Sequence, residues 1–253
     1  MSTNIRSRTI FSVFLGLLFF SLLSHSHAGI ILSGTRVIFP SEEKEVTLQM
    51  TNDGNEPSLV QVWLDRGNER ESPDQLDVPF LLTPTLSRLD PQGQQTLRII
   101  YSGEPLPKDK ETLFWLNVLN VPPKDSTGNS HLQIAFRTRI KLMYRPTGLP
   151  GKAEETATQL EWAIQSDEQG HPVLRARNPT AYVANLGYIA LESQSRNFPV
   201  GPGHVLPGET AEFTIKPTTG GEVPPGRFPS GTAVLFSGIN DWGDSMDHKT
   251  VLP

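Results

Sequence analysis

From Gly29 to the C-terminus, apolar and polar residues alternate in short runs that stop at turn-forming residues. Period-two alternation sends successive side chains to opposite faces of a strand, so the pattern predicts β-structure throughout. Residues 46–50 alternate and end at the Thr51-Asn52-Asp53-Gly54-Asn55 cluster. Residues 59–64 put Val60, Val62 and Leu64 on one face and Leu59, Gln61 and Trp63 on the other. Residues 29–39 read as a single first strand ending at Pro40, residues 96–101 and 112–121 as later strands, and residues 131–144 as the longest alternating segment. Residues 147–152 interrupt the series as a linker would, and a second series follows at 160–164, 173–177, 183–191, 211–215 and 232–239. Strands bounded by turns, with no helical period between them, indicate an all-β chain of two sandwiches meeting near residue 150.

The first segment stands outside that pattern. Arg6 and Arg8 precede an apolar run at 10–23 broken only by Ser12, Gly16 and Ser21. Ser26-His27-Ala28 then offers small residues at the two positions a signal peptidase reads, so residues 1–28 are expected to be a cleaved export signal, with the cut after Ala28. The run is short for a membrane span, and no later stretch is apolar enough for one, so no membrane insertion of the mature chain is expected. Loss of two arginines and no acids moves the net charge from −5 to −7. That acidity excludes non-specific nucleic-acid binding, which relies on neutralising phosphates. There are no cysteines, which excludes disulfides, thiol catalysis and thiolate metal sites.

Residues 129–146 differ from an ordinary half-buried strand. Leu132, Ile134 and Phe136 share one face, and Gln133, Arg137, Arg139 and Lys141 lie between and beyond them. In the interior of a sheet this is an apolar face entering its own core. At a sheet edge, the same long apolar strand is a template for pairing with another chain. Periodicity alone leaves both readings open.

Five ordered motifs between Gly29 and the C-terminus resemble the periplasmic pilus (fimbrial) chaperone family. Thr35-Arg36-Val37-Ile38-Phe39-Pro40 is similar to the family's opening signature. The stretch from Leu106 to Val118, followed by Val121-Pro122-Pro123, is similar to its central signature. Arg139-Ile140-Lys141-Leu142-Met143-Tyr144-Arg145-Pro146 resembles the end of its donor strand. Arg177-Asn178-Pro179-Thr180 and Gly238-Ile239-Asn240-Asp241-Trp242-Gly243 match in the second half.

The resemblance implies two immunoglobulin-like β-sandwiches in a boomerang with an interdomain cleft, divided as 29–148 and 149–253. It also implies a periplasmic location, pilus subunits as clients, an outer-membrane usher as the receiving partner, and a self-capping homodimer as an option for the free protein. By the same token, Leu132, Ile134 and Phe136 fill the subunit's groove, Arg36 and Lys141 bind its C-terminal carboxylate, and Glu111, Arg145 and Asp241 form an interdomain ion network. The short segment between Val121 and Leu132 resembles the branch with a short loop between the last two strands (F1 and G1) of the first domain. Lys110 stands where the family commonly has Arg, and Met143 where it commonly has an aromatic.

The residue types suit those roles. Apolar pockets at alternate spacing accept Leu, Ile and Phe, each worth about 1.5–3 kcal/mol when fully buried. A carboxylate needs fixed cationic donors, and anchoring it sets the register of an added strand. The ion network is expected at the surface, where such pairs contribute about 0–1 kcal/mol each, so it would fix orientation more than stability. No cofactor and no metal are expected, and no catalytic residues. His131, His171, His204 and His248 lack metal-site spacing and read as surface or turn histidines, and no nucleophile motif occurs. Asp241 and Asp244 flank Trp242-Gly243 without a full calcium ligand set. The rival reading is a structural pilus subunit or secreted β-sandwich adhesin. A subunit would have one incomplete domain, an N-terminal donor extension and often a disulfide.

Overall fold

The computed structural model describes residues 29–73, 77–124, 133–168, 170–193, 196–217 and 228–253. In the first half, β1 (Ile30–Leu32), β3 (Glu45–Asn52), β5 (Phe80–Thr83) and β7 (Gln94–Tyr101) make one sheet in the order β1-β3-β7-β5. β2 (Arg36–Pro40), β4 (Ser58–Asp65), β6 (Leu86–Leu89), β8 (Thr112–Val121) and β9 (Phe136–Arg145) make the facing sheet, in the order β2-β9-β8-β4-β6. Residues 29–39 are therefore two strands on opposite sheets, not one. Ser33-Gly34-Thr35 makes the switch: Ser33 donates its N–H to the Gln49 carbonyl at 2.9 Å, and its hydroxyl accepts from the Gln49 N–H at 3.0 Å. Small residues suit a crossing between layers, and they were the signal available in the sequence.

Val60, Val62 and Leu64 of β4 point inward as their alternation predicts, and pack with Met50, Leu97, Ile99, Phe114, Leu116 and Leu142. Towards the second half of the chain the core becomes aromatic. Phe39 lies 5.3 Å from Phe80, Phe80 lies 5.0 Å from Phe114, and Tyr101 lies 4.9 Å from Tyr144. Rings in edge and tilted arrangements add to the area they bury, which stiffens this end of the sandwich.

The second sandwich opens with a seven-residue 3-10 helix, Ala153–Gln159, where only strands were expected. β10 (Glu161–Ser166), β11 (Pro172–Arg177) and β15 (Thr210–Thr214) form its smaller sheet. β12 (Ala184–Ser193), β13 (Arg196–Pro199), β14 (Gly203–Val205), β16 (Ala233–Ile239) and β17 (Ser245–Val251) form the larger one, with β13 and β14 both pairing β12. The core here is Leu174, Leu186, Ile189, Leu191, Phe198, Val234 and Phe236. Five strands were not foreseen, namely β5, β6, β13, β14 and β17, because they are short or carry a polar face without clean alternation.

Asn178 holds the turn after β11. Its buried Nδ2 donates to the Tyr182 carbonyl at 2.7 Å and the Val205 carbonyl at 3.0 Å, while its Oδ1 accepts from the Thr180 N–H at 3.0 Å. One side chain thus ties residues 178–183 to β14. Replacing it strands two buried carbonyls, each costing roughly 1–3 kcal/mol. Asn178→Ala is expected to lower the denaturant midpoint of the second sandwich and leave the first unchanged, as followed by fluorescence of Trp162 against that of Trp63 and Trp115.

Candidate functional site

The two sandwiches touch along β2, β8 and β9 on one side and β12, β14 and the β16–β17 hairpin on the other. β2 pairs with β9 in parallel, and the register places Arg36 opposite Lys141. Partners in register project to the same face, so both cations point towards the second sandwich. Lys141 Nζ donates to Asn185 Oδ1 on β12 at 2.7 Å, and Arg36 Nη1 donates to the Ile239 carbonyl on β16 at 3.3 Å. Trp115 on β8 lies beneath, with Lys141 Nζ 5.6 Å from its ring centre. No ion pair to Arg36 or Lys141 is present among the described residues, and the buried Arg36 Nε has no acceptor.

Burial and the neighbouring Arg36 push the Lys141 amine down to about 8. Burial likewise lowers the Arg36 guanidinium, against the pull of Asp241. The site therefore holds two like charges in a partly desolvated crevice, an arrangement that an anion placed between them would relieve.

Sequence reasoning gave no role in this crevice to three side chains that build it, Asn185, His204 and Trp115. Asn185 accepts from Lys141 and donates to Met143 Sδ at 3.4 Å, so the Met143 departure lies one hydrogen bond from the cation. His204 is not a surface histidine: its ring stands 5.7 Å from Trp115, edge to face. Burial, with Lys141 and Arg139 near, pushes the His204 imidazole down to about 4, leaving it neutral at pH 7. Nothing local in the sequence links Trp115 to His204 or Lys141 to Asn185. Only the docking of two domains does.

Beyond Lys141 the strand changes character. β2 covers β9 only from Lys141 to Arg145, so residues 136–140 pair with β8 alone among the described strands. The strand begins at Phe136, later than the expected 131; Phe136 is 62% exposed, and Ile134, 51% exposed, lies two residues before it. Leu132, the third residue of the apolar set, lies outside the described residues. His131 does too.

Glu111, Arg145 and Asp241 do come together. Arg145 donates through Nε to Glu111 Oε1 at 2.5 Å, and through Nη1 and Nη2 to Asp241 at 2.6 and 2.8 Å. The expectation of surface pairs is corrected on one point, because Glu111 has only 1% of its side chain exposed. Its second oxygen accepts from the Val183 N–H at 2.7 Å, and its own N–H donates to the Ala181 carbonyl at 2.9 Å. Burial pushes the Glu111 carboxyl up, opposed by Arg145 and the Val183 N–H. Burial also acts against the Arg145 cation, but Asp241 and Glu111 outweigh it and hold the guanidinium charged. Asp241 is placed by the hairpin turn, where Asn240 Oδ1 accepts from the Trp242 and Asp244 N–H groups. Gly243 has φ +93°, and a Cβ there would meet Thr35 Oγ1 at 2.5 Å, so the hairpin tip sits directly on the β1–β2 switch. Asp241 thus serves an ion pair, and no cluster of three metal-ligating side chains is found among the described residues.

Residues 29–150 match the family described as pili and flagellar-assembly chaperone, PapD N-terminal domain, and residues 155–250 match pili assembly chaperone PapD, C-terminal domain. The chain belongs to the pilus assembly chaperone family. This chaperone is 39% identical to the probable fimbrial chaperone YadV of Escherichia coli K12, over 88% of this chain and 90% of that one. It is 40% identical to the chaperone protein FimB/FhaD of Bordetella pertussis, over 92% and 91%. The crystal structure of the YadV chaperone superposes with a TM-score of 0.72 at 36% identity, covering 89% of this chain and all of that one, 100%. A chain from the structure of Salmonella enterica SafA pilin in complex with the SafB chaperone gives 0.71 at 27% identity, over 90% and 99%. The fold is accordingly that of the pilus chaperones, two immunoglobulin-like sandwiches.

Arg145 reaches from the first domain into the second, so its loss leaves Glu111 buried and unpaired, a cost of about 3–5 kcal/mol. Arg145→Ala is expected to lower the thermal midpoint and to broaden the distribution of interdomain distances measured between spin labels on the two domains. Asp241→Asn, which keeps Glu111 paired, is expected to broaden the distances with little change in the midpoint.

Proposed function

We propose that this chaperone captures incomplete pilus subunits in the periplasm by adding the free edge of β9 to their fold, and passes them to an outer-membrane usher. The observation that carries the reading is that, among the described residues, half of β9 is paired on one side only, and at its foot Arg36 of β2 and Lys141 of β9 lie together with no ion-paired carboxylate. The free edge offers backbone pairing to any extended groove, and Phe136 with Ile134 just before the strand are the side chains presented to its pockets, with Leu132 the third of the set in sequence. Arg36 and Lys141 take the client's C-terminal carboxylate, which neutralises the crevice and fixes where the added strand begins. The likeness to SafB, solved with a pilin, supports a subunit as the client. A second copy of the chain pairing along the same edge would cap the free protein.

The Glu111–Arg145–Asp241 node holds the angle at which client and anchor meet. The leader is residues 1–28, removed after Ala28, and the working domains are 29–148 and 149–253. The segment joining β8 to β9, read as the short-loop form, falls partly outside the described residues.

Co-expression with a pilus subunit, followed by purification of a one-to-one complex, tests the reading. Lys141→Ala and Arg36→Ala are each expected to abolish capture while leaving circular dichroism and the unfolding midpoint unchanged. Retained capture by both variants would remove the anchor from the mechanism.

The Lys141 amine gives the pH dependence its sign. Carboxylate binding needs the charged form, so affinity is expected to be flat from pH 6 to 7 and to fall as pH rises through about 8. The limiting slope is one proton per complex, measured by titration calorimetry in buffers of different ionisation enthalpy.

Ile134→Asp places a charge in an apolar pocket of the client and is expected to weaken capture at least tenfold without unfolding the first domain. Unfolding of the variant would instead put Ile134 in the chaperone's own core.

A further inference from the structure

Four residues at the start of β9 have little to hold them. β2 does not reach them, and Phe136, Arg137 and Thr138 are exposed, so the sandwich core begins on this strand only at Ile140. A half-strand with one neighbour and no buried side chains would ordinarily fray. What grips it lies on the opposite face, across two strands. Arg139 donates to both oxygens of Asp65 at the end of β4, through Nη2 at 2.5 Å and Nε at 3.2 Å. Arg137 donates to Asn117 Oδ1 on β8 at 2.9 and 2.6 Å and to the Glu69 carbonyl at 2.8 Å. Asn117 Nδ2 in turn donates to Asp65 Oδ2 at 2.8 Å, and the Gly67 N–H donates to Asp65 Oδ1 at 2.6 Å.

Both guanidinium groups also lie over indoles, Arg137 at 4.9 Å from the Trp63 ring centre and Arg139 at 4.3 Å from that of Trp115. Asp65 has 1% of its side chain exposed, and apart from the local Gly67 N–H its donors come from β9 and β8. We propose that Asp65 is a positioning residue for strand donation, clamping Arg137 and Arg139 so that the unflanked half of β9 stays extended and in phase. Phase matters because the arginines and the apolar residues alternate. A slip of one position would pull Arg137 and Arg139 off the Asp65–Asn117 pair and turn Ile134 and Phe136 to the wrong face. The clamp therefore selects the one register in which the apolar residues face a client. This role rests on the reading of β9 as the donated strand, and it includes a property of the free protein that can be measured without a client.

The test is amide hydrogen exchange by NMR on the mature chain carrying Asp65→Asn, followed by release of a pilus subunit that the wild-type protein captures. Charge-assisted bonds to a buried carboxylate are lost, so the β9 amides of residues 137–140 that bond β8 are expected to exchange roughly tenfold faster. Amides of residues 142–144, flanked on both sides, should keep wild-type rates, and the subunit should dissociate roughly tenfold faster. Arg137→Gln combined with Arg139→Gln, on partly exposed side chains, gives the same expectation should Asp65→Asn fail to fold. Unchanged exchange at 137–140 overturns the clamp. So does exchange that rises uniformly through β3, β7 and β8, since Asp65 would then serve only general stability. Local loosening with unchanged subunit release overturns the link to donation. Failure of the wild-type protein to capture any subunit would defeat the donor reading and, with it, the donation role, while leaving the exchange result to report on the clamp alone.

Discussion

Among the described residues, half of β9 is a strand with one side of its backbone hydrogen bonding unmade, and most of the remaining architecture answers that fact. Backbone N–H and C=O groups in a folded domain are nearly always paired, and an exposed, apolar sheet edge is the feature that soluble proteins most consistently blunt. Here the chain had a strand available to cover it. The segment from Ile30 to Pro40 runs past the edge, but it spends its first three residues on the other sheet and crosses at Ser33-Gly34-Thr35, so β2 covers β9 only from Lys141 onward. The sheet switch decides where the open edge begins. It also brings Arg36 beside Lys141 at that boundary.

An open edge is useful only if it is stiff, and stiffness in this molecule comes from buried ionic groups more than from apolar packing. Asp65 and Glu111 are both almost wholly enclosed, and each is satisfied by an arginine of β9 together with at least one backbone N–H. Buried ion pairs are weak contributors to stability when compared with well-packed apolar replacements, because desolvation offsets the attraction. They are directional, however, and removing one partner is costly. Placing Arg139 and Arg145 six residues apart on one strand therefore pins that strand twice, once to its own sheet and once to the second domain. Between the pins lies Lys141, the cation whose partner is a neutral amide.

Much of this was legible in the sequence, and the unread parts share a cause. Alternation located β3, β4, β7 and most of the second domain, since a half-buried strand needs period two, and a nearly continuous apolar run located β8. The boundary at 147–152 showed as an interruption by Gly and Pro. Arg36, Lys141, Glu111, Arg145 and Asp241 were identified through motif resemblance, and the structure brings them to one crevice and its rim. The alternating pattern could not show that residues 29–39 change sheets, because the facing inner surfaces of a sandwich accept the same apolar residues. Nor could it show Asp65 and Asn117, which occupy the outer face of their strands, where polar residues are unremarkable. Their burial comes from the guanidinium and indole groups laid over them from β9, β8 and β4. Glu111 was read as a surface charge for the same reason: what buries it is residues 181–183 of the other domain.

The charge distribution fits together on this view. The chain is acidic overall, yet Arg36, Arg137, Arg139 and Lys141 gather on one face with Asp65 beneath them, a local excess of positive charge inside a negative field. Arg137 and Arg139 share the one carboxylate of Asp65, with Asn117 accepting from Arg137, whereas Arg36 and Lys141 have no ion pair among the described residues. Desolvation makes their charge costly in the free protein, as the lowered Lys141 amine records. Any anion that fits between the two cations recovers the cost, whereas an apolar or neutral group does not, so discrimination is built into the free state before a client arrives. Because both cations are fixed to strands whose register is set by β2–β9 pairing, an anion held there is fixed relative to the open edge as well. On the proposed reading, anchor and edge act as one device: the crevice determines where a bound chain starts, and the unflanked half of β9 determines the direction in which it extends.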